Sequence, residues 1–392
     1  MRNMVSNYYD LMTFGFGNMS FQQFVDRFKE KYNQEQTDGF AWDNEIQIDY
    51  TYEQLITSLG IMTLPTYVDA ESEGLDKSLG GFKIGQDKIP TQKHRFPMNA
   101  KMLREKMLMT QMYGSAALNN DTRKALLDIT FDSVDHLLGG NVNARTHQRM
   151  RIVSTGQFKI DLENNPRGLR GITFDFGIPS ANKETLSGTS RWWTTNTHTE
   201  ANEGSASDPL QFLKDKRKAM KKAGFPKGHF EMSEDLFDDM LMHSKVLKRI
   251  GLAINPNVTD ASAIVAAKNM TDDALKSYIE RIVGAPIVTR DSVAAVDKFD
   301  PETKSLKVET IDNFAPLNVA FVPDGQIGTI KAVKPMVFAD DPTQRIAWFD
   351  GGRTLLTQRF ESKTKTMYVE SEMAVLCVPS MPQYMCVYTV TA

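Results

Sequence analysis

Histidines, glycine-rich loops and nucleophile motifs are the first places to look for chemistry in this sequence of 392 residues. The histidines form no HExxH pair and none is close to a cysteine, so their spacing predicts no metal site. The stretch GFGNMS at 15–20 resembles part of a phosphate-binding loop, but it follows no predicted strand and lacks a third glycine or a Lys-Ser/Thr pair. The sequence contains no GxSxG elbow. We therefore expect no catalytic residue, no bound metal and no cofactor.

The two cysteines, Cys377 and Cys386, lie close to the C-terminus. Two cysteines cannot supply a disulfide framework for a chain of this size, which favours a reducing compartment. No histidine is near either of them in the sequence, so neither is indicated as a nucleophile. We predict that both are buried strand residues, which behave as small apolar side chains.

Two charged stretches allow more than one interpretation. The stretch 214–227 is strongly basic, and 233–240 (SEDLFDDM) is acidic. Each can be the solvated face of a helix, or the two can form a charge-matched contact between copies of the chain. The candidate contact residues are Lys218, Lys221, Lys222, Asp238 and Asp239. The acidic pairs at 272–273 and 340–341 are not indicated as catalytic, and the first fits a helix N-terminus.

Composition and charge exclude several classes of protein. With 46 basic and 49 acidic residues the net charge is -3, which argues against a general polyanion binder. An apolar content of 41% argues against a mainly disordered chain. No window is apolar enough for a membrane helix, and the N-terminal stretch lacks the apolar run of a secretory signal. We expect a soluble protein that is made in a cytoplasm and has no membrane partner.

The N-terminal part contains two segments without a core of their own. Apolar residues from Phe21 to Tyr32 follow helical spacing behind a capping Ser20, which predicts one short helix in an arm. Residues 60–103 are polar and rich in glycine and proline, which predicts a long twisted hairpin or paired extended segments. Because a two-stranded ribbon is marginal alone in water, it must dock onto this chain's core or onto another copy.

The remaining sequence predicts mixed helices and strands. A long helix is predicted over 121–154, with Gly139 and Gly140 as a stop or kink. From Asp208 to Val333, capped helices alternate with strands, which indicates an α/β or α+β unit with its own core. The C-terminal residues predict a strand, a proline-marked turn and a last strand, so we expect the C-terminus to pair into a sheet.

The order of these segments resembles that of the lambda-type major capsid proteins of tailed bacteriophages. The ending YVESEMAVLCVPSMPQYMCVYTV is similar to the ending of that family, and RWW followed by SDPLQFLKDKRKAMKKAGFPKGHFEMSEDLFDDM is similar to its order of Trp, Asp-Pro, helix, Gly, strand and helix. Further similar stretches are NVAFVPDGQIGTI and the passage from VDHLLGG to ITFDFG, while GGFKIGQDKIPTQKH takes the place of the family's extended loop. The resemblance extends from Gly60 to Ala392 and implies an α+β chain with the Hong Kong 97 capsid fold.

This resemblance implies a division of the chain into an N-terminal arm (1–48), an extended loop (49–104), a peripheral domain with a spine helix (105–200), an axial domain (201–335) and a return into the peripheral domain through the C-terminal strands (336–392). In that family the extended loop lies on a neighbouring subunit. The candidate contact residues of the loop are Lys77, Gly80, Gly81, Phe82, Lys83, Lys88, Pro90 and Lys93.

The function that the resemblance implies is assembly, not catalysis. The chain is expected to form hexamers and pentamers that build an icosahedral head shell around double-stranded DNA, without sequence-specific binding. A separate scaffolding protein, a portal and a decoration protein are the further partners implied, with the virion as the final location and the host cytoplasm as the place of synthesis. An encapsulin-like shell around an enzyme cargo is the main alternative. An enzyme built on the central α/β unit is another, and it requires titratable groups that converge in a deep pocket.

Overall fold

The computed structural model describes residues 20–32, 36–49, 51–57, 82–98, 118–166, 171–195, 197–302, 305–337, 344–361, 363 and 366–391. Helices and strands are mixed along these residues, which confirms the predicted α+β class. Residues 15–19, the loop residues Lys77, Gly80 and Gly81, and the acidic pair at 340–341 lie outside the described residues. Among the described helices, none combines the length and the apolar character that crossing a bilayer requires.

The described helices comprise two short ones in the arm, one very long one, and a group that covers one sheet. In chain order they are α1 (Phe21–Asp26), α2 (Lys29–Tyr32), α3 (Leu118–Thr155), α4 (Pro209–Lys222), α5 (Glu234–Met242), α6 (Ser244–Ile254), α7 (Asp260–Lys268) and α8 (Asp272–Val283).

The described strands form two large sheets and three separate hairpins. In chain order they are β1 (Gln36–Thr37), β2 (Phe40–Trp42), β3 (Thr51–Thr57), β4 (Phe82–Lys88), β5 (Thr91–Met98), β6 (Gln157–Ile160), β7 (Ile172–Asp175), β8 (Lys183–Thr185), β9 (Gly228–Ser233), β10 (Ile287–Arg290), β11 (Val293–Asp300), β12 (Ser305–Asp312), β13 (Asn318–Pro323), β14 (Gly328–Val333), β15 (Gln344–Phe349), β16 (Thr354–Glu361), β17 (Thr366–Pro379) and β18 (Cys386–Thr389).

The larger sheet is built around the long strand β17. The first part of β17 lies between β16 and β5, both antiparallel to it. From Ala374 onwards β17 pairs with β14, which in turn pairs in parallel with β2 of the arm. One strand therefore joins the arm, the β15–β16 hairpin and β5.

The second sheet has the strand order β10-β9-β13-β18-β8. The C-terminal strand β18 pairs with β13, so the prediction that the C-terminus pairs into a sheet is confirmed. Tyr388 of β18 and the following Val390 belong to the core under helices α4 to α8. The strand β8 from segment 105–200 also lies in this sheet, and β14 from segment 201–335 lies in the larger one. Each sheet thus combines strands from several predicted segments, and the division of the chain into domains stays a prediction.

The long helix α3 passes through Gly139 and Gly140 without ending, which confirms the long helix predicted over 121–154 and excludes a stop at these glycines. A glycine costs a helix interior about 1 kcal/mol relative to alanine, but packing along the helix outweighs local propensity. The residues before the glycines, such as Leu137, pack against α1 and the β15–β17 strands. Those after them, such as Ile152, pack against the second half of β17 and one face of the second sheet.

The buried apolar residues form three clusters. One lies between the second sheet and helices α4 to α8, and includes Cys386. The next lies between the other face of that sheet, α3 and the end of β17, and includes Cys377. The last joins the arm to α3. Both cysteines are buried strand residues, as predicted, and burial raises the pKa of Cys377 to about 12 and that of Cys386 to about 11.

The arm is anchored on this chain's own core. Ser20 caps α1 and accepts a hydrogen bond from the Gln23 amide at 3.1 Å, in the capping box that the sequence predicts. Phe24 and its aromatic neighbours are buried against α3. The Gln22 side chain donates to the Trp348 carbonyl at 2.9 Å and accepts from the Trp348 amide at 2.6 Å. The described arm therefore extends the larger sheet instead of projecting from it.

A buried ion network joins α3 to the second sheet. Arg149 of α3 donates two hydrogen bonds to the Glu231 carboxylate of β9, at 2.5 and 2.6 Å, and both side chains are buried. Arg290 of β10 donates two more to the same carboxylate, at 3.0 and 3.1 Å. Burial alone would raise the pKa of Glu231, but the charge of Arg149 and the hydrogen bonds from His229, Arg149 and Arg290 hold it well below its ordinary value.

The variant Glu231→Gln tests how much this network contributes to the stability of the folded chain. Removing one member of a buried ion pair leaves the other charges buried without compensation, so we expect the free energy of unfolding to fall by about 3–5 kcal/mol. Urea denaturation measures this change. The matched control is Glu309→Gln, which removes the partly exposed partner of Lys298 and should change stability by less than about 1 kcal/mol. Equal effects of the two variants would contradict the role of the network.

The same network predicts how stability depends on pH. Because the pKa of Glu231 is lowered in the folded chain, its contribution is complete above the ordinary value of 4.5 and is lost as the pH falls below it. Over this acidic range the unaltered chain should lose more stability than Glu231→Gln, and the two stability curves should converge. Thermal unfolding at a series of pH values provides the comparison, and parallel curves would rule out this contribution.

Candidate subunit-contact site

The ribbon differs in its bounds from the prediction over 60–103: β4 pairs with β3, which precedes that range, whereas β5 within it lies in the larger sheet. The strands β3 and β4 pair in full register from Thr51 opposite Lys88 to Thr57 opposite Phe82. No further strand of the described residues pairs with either of them. The chain then passes through the buried Ile89 into β5, which lies in the larger sheet against β17. Within the described residues, β3 and β4 thus form a two-stranded ribbon whose base continues through Ile89 into the larger sheet.

The structure places the predicted loop residues in different settings. Phe82 and Lys83 lie on β4, opposite Thr57 and Ile56. Lys88 at the base of the ribbon is exposed, and Pro90 is half-buried between β4 and β5. The predicted set also includes Lys93, which lies on β5. Its other members, Lys77, Gly80 and Gly81, lie outside the described residues.

Lys93 already has a partner in its own chain. Its ammonium group lies 2.7 Å from the Glu372 carboxylate of β17, and its side chain remains half-exposed. This ion pair joins β5 to β17 at the root of the ribbon. The contact of Lys93 with a neighbouring subunit stays a prediction.

The cations of α4 divide into two groups. Lys216 pairs with Glu184 and lies over the rings of Phe212 and Tyr388, and Arg217 lies over Phe321. These two therefore help to cover the core of their own chain. The second group consists of the predicted contact residues Lys218, Lys221 and Lys222, which are all exposed. None of these three makes an ion pair within the described residues.

The acidic residues lie on α5 and at the start of α8. Asp239 is half-buried and is held by His198 at 2.5 Å, so it is committed to its own chain. Asp238 is exposed, and its pKa is raised by partial burial and by the negative charges of Asp272, Asp235 and Asp239. Repulsion among these carboxylates is thus unrelieved at Asp238 within the described chain. The structure shows no ion pair between this group and Lys218, Lys221 or Lys222, so a contact between them requires two copies.

One group of residues in the α/β unit resembles a catalytic triad in composition. Ser207 Oγ lies 3.0 Å from His243 Nε2, and a Glu203 oxygen lies 3.7 Å from His243 Nδ1. However, Nδ1 accepts the backbone N–H of Lys245 at 3.3 Å, so Nε2 carries the proton and donates to Ser207. A histidine in this state cannot take the serine proton. The group caps the start of α6 and stabilises this end of the unit.

No cluster of three or more histidine, cysteine, aspartate or glutamate side chains suited to a metal ion occurs among the described residues. The sequence pattern gave no indication of the Glu231 network, because its members are far apart in the chain and meet only through the pairing of β9 with β10 and the approach of α3. A Glu between the apolar residues Phe230 and Met232 of a strand was the one available signal.

Sequence reasoning also missed a second ribbon. The segment that contains β11 and β12 was predicted only as part of the α/β or α+β unit from Asp208 to Val333, and in the structure these strands pair only with each other within the described residues. Val293 and Val308 are exposed, on the face that also carries Asp297 and Thr310. A strand that pairs within a sheet and a strand of an isolated hairpin have the same alternation, so sequence periodicity could not distinguish them.

Comparisons with known proteins found similar solved structures but no matching sequence. No family model and no curated protein sequence matches the chain. Among solved structures, it is similar to a phage-related protein of Bordetella bronchiseptica RB50, with 13% identity, a TM-score of 0.48 and coverage of 93% of this chain and 95% of that one. It is also similar to the satellite phage P4 procapsid, with 10% identity, a TM-score of 0.44 and coverage of 94% of this chain and 99% of that one. For the mature capsid of bacteriophage PhiM1 the identity is 11%, the TM-score is 0.41 and the coverage is 91% of this chain and 87% of that one. At these values the similarity assigns no role to a residue of this chain.

Proposed function

We propose that this chain is the major capsid protein of a tailed bacteriophage, with the Hong Kong 97 capsid fold, and that it assembles into hexamers and pentamers of an icosahedral shell around double-stranded DNA. The observation that carries the proposal is the β3–β4 ribbon. A two-stranded ribbon has no second layer against which to bury a face, and it is marginal in water unless another surface covers it. A neighbouring copy supplies such a surface.

Charge supports contacts between copies and a DNA-filled shell. The exposed lysines of α4 and the crowded carboxylates around Asp238 are complementary and do not meet within one chain. A contact between two different patches is head-to-tail, and head-to-tail contacts close into rings when the rotation allows it. A net charge of -3 also suits a wall that holds DNA without binding tightly to its phosphates.

The proposal includes partners that act during assembly. A separate scaffolding protein sets the shell's geometry, a portal occupies one vertex, and a decoration protein can bind outside. The chain is made in the host cytoplasm and ends in the virion. The test of the whole proposal is expression in a bacterial host, with and without a scaffolding protein, followed by electron microscopy and light scattering. Closed shells are expected. Monomers alone would overturn the proposal, and shells that retain an enzyme instead of DNA would point to a cargo compartment.

Removal of the ribbon should separate folding from assembly. Thr51 and Lys88 face each other at its base, so residues 52–87 can be replaced by a two-residue Asn-Gly turn that suits a hairpin. We expect a folded monomer, with thermal unfolding close to that of the unaltered chain, which forms no closed shells by electron microscopy. Normal shells from this variant would contradict the docking role of the ribbon, and a chain that no longer folds would show that the ribbon serves its own core.

Charge reversal should locate the second contact. We expect K221E/K222E and D235K/D238K each to reduce shell yield severalfold, because like charges then face each other across the contact. The chain that carries all four changes should recover, since the complementarity is restored. Sedimentation of assembled particles measures the yield. The matched control, K268E/K307E, reverses two exposed lysines elsewhere on the chain and should have no effect. If the four changes are no better than either pair, the two patches do not meet.

A further inference from the structure

A buried row of apolar residues on β17 is interrupted by a hydroxyl group. The side chains that alternate toward α3 begin with Met367 and Val369 in the cluster of the arm. They continue with Met373 and Val375 in the cluster below the second sheet. Between these two clusters lies Ser371, which is completely buried.

Ser371 belongs to a chain of hydrogen bonds that joins three elements. The Asn141 amide of α3, itself buried, donates to Ser371 Oγ at 2.8 Å. This orientation turns the Asn141 oxygen toward His94 of β5, and His94 Nε2 lies 3.0 Å from it and donates to it. His94 is the residue directly opposite Ser371 in the β5–β17 register. We call His94, Asn141 and Ser371 the polar bridge.

Gly140 provides the space for this bridge. A Cβ atom at position 140 would lie only 2.8 Å from His94 Cε1, closer than side-chain atoms approach each other. A Cβ at the neighbouring Gly139 would lie 3.5 Å from the Tyr32 hydroxyl oxygen, which is an ordinary contact. The two glycines therefore differ: the one at 140 is required by the imidazole ring, whereas the one at 139 can be replaced.

The polar bridge helps to fix the register of α3 on β5 and β17, beside the hydrogen bonds that Gln148 of α3 makes with Val375 and Cys377 of β17. Burial of apolar surface has no preferred direction, so directional contacts of this kind define the register more sharply than apolar burial does. A buried donor or acceptor that loses its partner costs far more than a shifted apolar contact. Movement of α3 relative to β5 and β17 would separate Asn141 from both of its partners. Because β5 continues through Ile89 into the ribbon, this register also sets the direction in which the ribbon leaves the core.

We propose that the polar bridge, seated on Gly140, positions the ribbon relative to the long helix and thereby sets the curvature of the shell. This inference rests on the proposed function, since curvature has meaning only for an assembly of copies. His94 acts as a positioning residue, because it directs the ribbon. The partner of the ribbon is an adjacent copy of the chain.

The test compares Gly140→Ala, His94→Ala and the double variant, with Gly139→Ala as matched control. Alanine at 140 displaces the His94 ring and so breaks the bond to Asn141, while the helix itself gains in propensity. The subunit should therefore fold with a thermal unfolding temperature near that of the unaltered chain. In hydrogen exchange on the unassembled chain, protection of the β5 amides should fall by about fivefold, the factor that corresponds to one hydrogen bond. In electron microscopy, the shells should lose their uniform diameter.

The double variant identifies the cause. If Gly140 and His94 act through one contact, each single change and the double change should give the same loss of protection and the same spread of diameters. If the losses of protection of the two single variants multiply in the double variant, or if Gly139→Ala has an equal defect, helix stiffness matters instead. Either result would overturn the inference. Uniform shells from Gly140→Ala would overturn it as well. If the unaltered chain forms no shells, the proposed function fails, and hydrogen exchange still decides whether the bridge holds β5.

Discussion

The structure depends on the pairing of Arg149 with Glu231 at the point where the long helix crosses the second sheet. Glu231 lies in the centre of a buried strand and accepts hydrogen bonds from Arg149, Arg290 and His229. Arg149 also donates to the Asp38 carbonyl of the arm at 3.2 Å. A charge in this position is tolerated only when all its partners are in place. Helix, sheet and arm must therefore adopt one arrangement together.

This constraint makes the long helix a common support. The arm packs on its middle, the second sheet on its C-terminal half, and β17 along both. The ribbon is joined to this helix through β5, and the charged patches are joined to it through the second sheet, on whose other face α4 and α5 pack. In the proposed ring of copies these connections matter, because errors in the angle between contacts accumulate around the ring.

Much of this arrangement is predictable from local sequence, and the predictions that were wrong have physical causes. Capping at Ser20 and the long helix follow from residue types and spacing, and the structure contains both, whereas the ribbon has other bounds than the sequence predicts. The helix continues through Gly139 and Gly140 because packing along its length outweighs their low propensity, and only at Gly140 does a side chain, that of His94, occupy the space that a Cβ would fill. Nothing local reveals a contact between residues so distant in the chain.

The placement of strands was the least predictable feature. The strand β18 and the hairpin β11–β12 have ordinary alternation, and only tertiary pairing decides which sheet each one joins. The candidate contact residues divide in the same way. Lys218 and Asp238 remain exposed as a solvated face would be, whereas Lys93 and Asp239 already have partners that sequence could not identify.

The central claim is that the ribbon of one copy lies on the surface of the next. A cryo-electron microscopy reconstruction of assembled particles tests it most directly, because it traces residues 51–57 and 82–88 from their own core outward. The account predicts closed shells in which these strands cross onto a neighbouring copy. Particles in which every ribbon folds back onto its own larger sheet, with no contact to a neighbour, would contradict it.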